Sequence, residues 1–89
     1  FSDEVLKGIV DAAHARGIRT TVHAITELAS RKVLDAGIDS FAHPVRAAAT
    51  PEFMRRLAAG RVPVATTLVV LYHIARVVDD PSFLDAPLF

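Results

Sequence analysis

Asp35-Ala36-Gly37-Ile38-Asp39-Ser40-Phe41-Ala42-His43 closes one helical pattern on a glycine and opens a short apolar run, and the chain writes this unit three times. Aligned on their glycines, Ala15-Arg16-Gly17-Ile18-Arg19-Thr20-Thr21-Val22-His23 precedes it and Ala58-Ala59-Gly60-Arg61-Val62-Pro63-Val64-Ala65-Thr66 follows it. A fixed internal period is strong evidence about fold, because each repeat is one supersecondary unit. Working upstream from the glycines, Ser2 is an N-cap with Asp3 and Glu4 in the first turn, and Val5, Leu6, Ile9, Ala12 and Ala13 share one face. Gly17 supplies the left-handed stop. A second helix carries Ile25, Leu28, Ala29, Val33 and Ala36 on one stripe and ends on Gly37 in the same way. A third has Thr50 as N-cap, Pro51 at the first helical position and a Phe53, Met54, Leu57, Ala58 stripe before Gly60.

The runs after the glycines are about six residues long and rich in Val, Ile, Thr and Phe, which suits short strands. Strands joined by helical crossovers run parallel, as open doubly wound sheets or closed barrels. No glycine-rich phosphate fingerprint follows a strand, which favours the barrel. The expected fold is thus α/β, a fragment of a (β/α)8 TIM barrel with three parallel strands alternating with helices. Its 89 residues fall short of the ~250 of a whole barrel, so residues 1–89 read as part of one domain with no internal boundary. Leu68 to Val78 reads as a further helix, broken by Asp79, Asp80 and Pro81.

Ten basic and ten acidic residues balance, so no electrostatic footprint for nucleic acid or anionic membrane is present, and a small molecule is the expected partner. With no cysteine, any metal must be held by histidine or carboxylate. The apolar stretch from Val62 to Ala75 contains Pro63, two threonines and His73 and is shorter than the ~20 residues of a membrane span. Residue 1 is Phe and a helix starts at once, which reads as a cut from a longer protein. Three strands taken from a closed barrel would expose two edges, so the isolated piece is expected either to self-associate, a homo-oligomer being one form of this, or to be partly disordered.

His23 and His43 each lie six residues after a helix-ending glycine, at the last position of equivalent strands, and Thr66 takes that place in the third unit. Barrel active sites are built at these strand ends. Neighbouring strands are ~4.8 Å apart and zinc–nitrogen bonds are ~2.0–2.1 Å, so adjacent strand-end histidines can share an ion. A lone histidine is more often an interior residue satisfied by hydrogen bonds. Two at the same repeat position favour metal ligation, because burying two imidazoles side by side without a shared partner is unfavourable. His14 belongs to the last turn of the first helix, where it complements the dipole. His73 reads as a packed or surface helix position, the alternative being a place in the lining of a substrate pocket. Arg46 follows His43 on its loop, either clamping a substrate carboxylate in a bidentate pair or standing solvated.

Ala12-Ala13-His14-Ala15-Arg16-Gly17 leading to Val22-His23-Ala24, followed by Ala36-Gly37-Ile38-Asp39-Ser40-Phe41-Ala42-His43, resembles the metal-dependent amidohydrolases of the imidazolonepropionase-like and prolidase-like group. The resemblance implies that His23 and His43 are metal ligands at the ends of barrel strands five and six, with Arg61 to Thr67 as strand seven. It implies one or two divalent ions, zinc first, activating water for attack on an amide-type carbonyl. Where many members have Glu-His-Gly, this chain has Ala42-His43-Pro44. The family's His-x-His pair, strand-four lysine and strand-eight aspartate, the general base, match no residue here, so the resemblance implies an amidohydrolase only as part of the full-length chain, with residues 1–89 alone expected to be inactive even with added zinc. The competing expectation is a non-catalytic α/β binding or scaffold segment with structural histidines. A third is an open-sheet domain that holds no metal.

Overall fold

The computed structural model describes residues 1–45 and 49–85, with backbone alone for Phe83 and Leu84. In chain order the elements are helix α1 (Asp3–His14), strand β1 (Thr21–Val22), helix α2 (Glu27–Asp35), strand β2 (Ser40–Phe41), helices α3 (Pro51–Ala59) and α4 (Leu68–Asp79), and a 3-10 turn (Pro81–Asp85). Local chemistry explains the first three helices. Hydroxyls of Ser2, Thr26 and Thr50 each accept a first-turn amide, from Val5, Ala29 and Phe53 at 3.3, 3.2 and 3.2 Å, satisfying donors that have no intrahelical partner. Gly17 and Gly37 take φ of +68° and +91° just past α1 and α2, as helix-ending glycines should. After α3 the left-handed residue is Arg61 at φ +49°, while Gly60 stays right-handed at −77°.

These features place the histidines but do not make the expected sheet. The expectation of a (β/α)8 TIM-barrel fragment with three parallel strands alternating with helices is overturned. The sheet has two parallel strands of two residues each, paired Thr21 with Ser40 and Val22 with Phe41. The third run contributes a single parallel bridge, Phe41 with Val64, in which Phe41 N–H donates to the Pro63 carbonyl and Ala65 N–H to the Phe41 carbonyl, both at 2.9 Å. The physical reason lies at its ends. Pro63 has no N–H to extend the ladder upstream. Thr67, at φ +47°, turns the chain downstream into α4. Helix α4 then leads to the 3-10 turn with no strand between them.

The core lies between the strand pair and the first three helices. Val10 of α1, Val33 of α2, Phe41 of β2, and Phe53 and Leu57 of α3 are its buried centre. Amphipathic spacing brings each of these inward. Helix α4 is different: it has no buried residue, and Leu68, Val69, Val70, Leu71, Tyr72 and Ile74 are all exposed. No helix among the described residues is long and apolar enough to cross a membrane.

Asp39 fixes where the two strands begin. Its Oδ2 accepts from the Thr20 backbone N–H at 2.6 Å, from the Thr20 hydroxyl at 2.9 Å and from His14 Nε2 at 2.8 Å, joining the end of α1 and the approach to β1 to the start of β2. Thr20 N–H, His14 and the Thr20 hydroxyl, in that order of effect, hold its carboxyl at about 2, below the ordinary 3.8. A folded-state value below the unfolded one means that the clamp's contribution is present above pH ~4 and is lost as pH falls toward 2. An Asp39→Asn variant should therefore be less stable than wild type at pH 6, with the difference shrinking by pH 2.5. Parallel melts at the two pH values would show it, and an equal difference at both would remove the clamp.

Candidate metal centre

His23 lies one residue past β1 and His43 two residues past β2. In the observed register Val22 opposes Phe41, so His23 falls opposite Ala42 and not opposite His43. Strict alternation along two flat strands would point the two rings to opposite faces. The chain instead bends at Ala42 and His43. The bend brings the rings together edge to face, with centroids 4.7 Å apart and planes at 83°. His23 is exposed and His43 half-buried, so the pair is open on one side.

The two rings differ in their support. The Thr67 hydroxyl lies 3.1 Å from His43 Nδ1 and donates to the Thr66 carbonyl at 2.8 Å. With its proton on the Thr66 carbonyl, the Thr67 hydroxyl can accept from a protonated Nδ1 of His43. Neutral imidazole carries one N–H, and Nε2 of His43 then keeps its lone pair. A lone-pair nitrogen steadied through its other ring N–H is the arrangement metal-binding histidines generally have. The expected third position was Thr66, by alignment of the repeats, but the neighbouring Thr67 is what reaches His43. By sequence Thr67 ends the third run, and no sequence signal points it at an imidazole.

A second tie joins the loops that carry the histidines. Glu27 opens α2, four residues after His23, and its carboxylate accepts from Thr50 N–H at 2.7 Å and the Thr50 hydroxyl at 2.8 Å, where the loop after His43 enters α3. Arg31, one turn on, pairs with the same carboxylate at 2.7 Å and with Glu52 at 3.3 Å. Its guanidinium lies 5.7 Å over the Phe53 ring. The Thr50 N–H bond is the largest influence on Glu27 and lowers its pKa; desolvation opposes it, and the bonds from Arg31 and the Thr50 hydroxyl add to the lowering. Beneath the second histidine, Phe41, His43, Val45, Phe53, Leu57 and Thr66 line a mainly apolar hollow of about 350 Å³.

Among the described residues no group of three or more His, Asp or Glu side chains converges, so His23 and His43 stand as a pair. The other site expectations fall elsewhere. Arg46 lies outside the described residues. His14 is bound to Asp39, and His73 lies on α4 with its ring 5.6 Å from Tyr72.

Two relatives, an uncharacterized protein of Mycobacterium tuberculosis and one of Mycobacterium bovis, are each 46% identical to the chain over 43 residues, or 48% of its length. The match spans 12% of the length of each relative. No protein-family model and no solved structure matches the chain.

Proposed function

We propose that His23 and His43 are two ligands of a divalent metal, zinc first, in a hydrolase of amide-type C–N bonds. Cyclic amides, dipeptides and N-acyl amino acids are the substrate classes. The observation that carries the metal is the ring pair, with centroids 4.7 Å apart. Two imidazoles sharing one tetrahedral ion through ~2.0–2.1 Å bonds bring their centroids to about 5 Å. The Thr67 contact on Nδ1 of His43, which leaves Nε2 for a ligand, agrees with this. Catalytic zinc takes three protein ligands and an open position, so a further ligand and the general base come from outside the described residues.

Bound there, a divalent ion would activate water and polarise a carbonyl. What this chain does is narrower. His23 and His43 would hold and orient the ion, the Glu27–Thr50 tie would keep their loops at a set separation, and the apolar hollow beside His43 would accept a nonpolar part of a substrate. The amide class rests on the resemblance carried by Gly37-Ile38-Asp39-Ser40 and the two histidines. The test is calorimetric zinc titration of the full-length protein that contains residues 1–89, followed by its turnover on cyclic imides, dipeptides and N-acyl amino acids with and without zinc; residues 1–89 alone, lacking the base, should turn over none of them. Saturable zinc binding with metal-dependent release of amine is expected. Zinc binding without turnover would withdraw the hydrolase, and the absence of both would favour the scaffold reading.

A further inference from the structure

We infer that Thr67 is the positioning residue of His43: its hydroxyl locks the imidazole in the tautomer that leaves Nε2 open. The part played by that nitrogen rests on the metal reading above, whereas the lock itself does not. Three separate features of Thr67 converge on it. The first is the placing of the Thr67 hydroxyl between His43 Nδ1 and the Thr66 carbonyl, at 3.1 and 2.8 Å, where donation to the carbonyl leaves its oxygen to accept from Nδ1–H.

The second is an uncapped helix. Ser2, Thr26 and Thr50 all turn their hydroxyls onto first-turn amides of the helices they open. Thr67 occupies the same position on α4 and makes no side-chain cap bond. The hydroxyl that would ordinarily satisfy an α4 amide faces the histidine instead. The third is backbone strain. Thr67 sits at φ +47°, ψ +35°, in the left-handed region where a β-branched side chain is crowded, and where glycine or asparagine would be at ease. Strained residues of this kind persist where the surroundings hold them and cluster at functional sites. An uncapped helix and a strained backbone both weigh against stability, and the bond to His43 is what the side chain makes in return.

Three substitutions separate this role from a structural one. Thr67→Val keeps the shape and removes the hydroxyl, Thr67→Ser keeps the hydroxyl, and Thr67→Gly removes both hydroxyl and strain. In the metal-free protein, long-range nitrogen–proton NMR should place the His43 proton on Nδ1 in wild type and Thr67→Ser, and shift it toward Nε2 in Thr67→Val and Thr67→Gly. Zinc affinity, measured by competition with a chelator, should fall about tenfold in the valine and glycine variants and be retained in the serine variant. Thr67→Gly should nevertheless melt no lower than wild type, which a purely structural residue would not allow. If Thr67→Val fails to fold, the glycine and serine variants carry the comparison. An unchanged tautomer and unchanged zinc affinity in Thr67→Gly would overturn the inference. A tautomer switch in a protein whose wild type takes up no zinc would support the lock and dispose of the metal reading alone.

Discussion

On the proposed metal reading, replacing both His23 and His43 by alanine in the full-length protein should abolish zinc binding and lower turnover by orders of magnitude while leaving the melting temperature nearly unchanged. Outer partners of metal-bound histidines are worth roughly 10–100-fold in affinity or activity, and a ligand itself is worth more. The structure explains why the fold should tolerate the change. His23 is exposed and His43 half-buried, so neither side chain belongs to the core of Val10, Val33, Phe41, Phe53 and Leu57. Loss of the His43 ring also leaves no stranded donor, because the Thr67 hydroxyl keeps its bond to the Thr66 carbonyl. Elemental analysis of the purified double variant, with a circular-dichroism melt beside it, is the measurement. A metal-replete and active double variant would end the ligand assignment. A variant that loses metal only because it has unfolded would show in the melt.

The histidine pair was legible in the sequence because it follows from a repeat: a glycine stop, then an imidazole six positions on. The helices were legible for the same kind of reason, since Ser2, Thr50 and Pro51 act within one turn of where they stand. Sheet extent was not. A run such as Arg61 to Thr67 has the composition of a strand, but whether it pairs depends on a partner some twenty residues away, and on the left-handed turns at Arg61 and Thr67 that bound it. Propensity reads a half-buried pleated surface and not the length of a ladder. The register was hidden as well. Equal spacing from the glycines suggests that His23 and His43 lie opposite each other, whereas the pairing is offset by one residue and a bend restores the contact.

Asp39 illustrates an intermediate case. Its place in the Gly-Ile-Asp-Ser entry marked it as part of a pattern, but its work of holding Thr20 and His14 needs the three-dimensional approach of α1 to β2. Glu27 and Thr50, 23 residues apart, gave no sign of meeting. Helix α4 shows the opposite mismatch. Its apolar run predicted a helix correctly, yet the helix stands with all its Leu, Val and Ile side chains but Val77 exposed, because composition specifies what can be buried and not what is available to bury it.

The largest stability effect is expected at Phe53, which is fully buried, at 0% exposure, and touches both halves of the site. One edge of it belongs to the hollow under His43, and its face lies below the Arg31 guanidinium that also grips Glu27. Phe53→Ala should therefore reduce unfolding free energy by about 3–5 kcal/mol, the usual range for a buried Phe truncation. Because a hollow of about 350 Å³ already lies beside the ring, the removed volume would merge with it and leave the neighbouring side chains little to close upon. The larger void should also loosen His43, so zinc affinity should fall together with stability, unlike the glycine variant at Thr67, where the two separate. Phe53→Leu, which keeps most of the volume, should cost under about 1.5 kcal/mol and spare the metal. Urea unfolding of the three proteins at a common slope would measure this. A loss below 1 kcal/mol for Phe53→Ala would mean that α3 is not packed on β2 through this ring, and the support assigned to His43 from below would go with it.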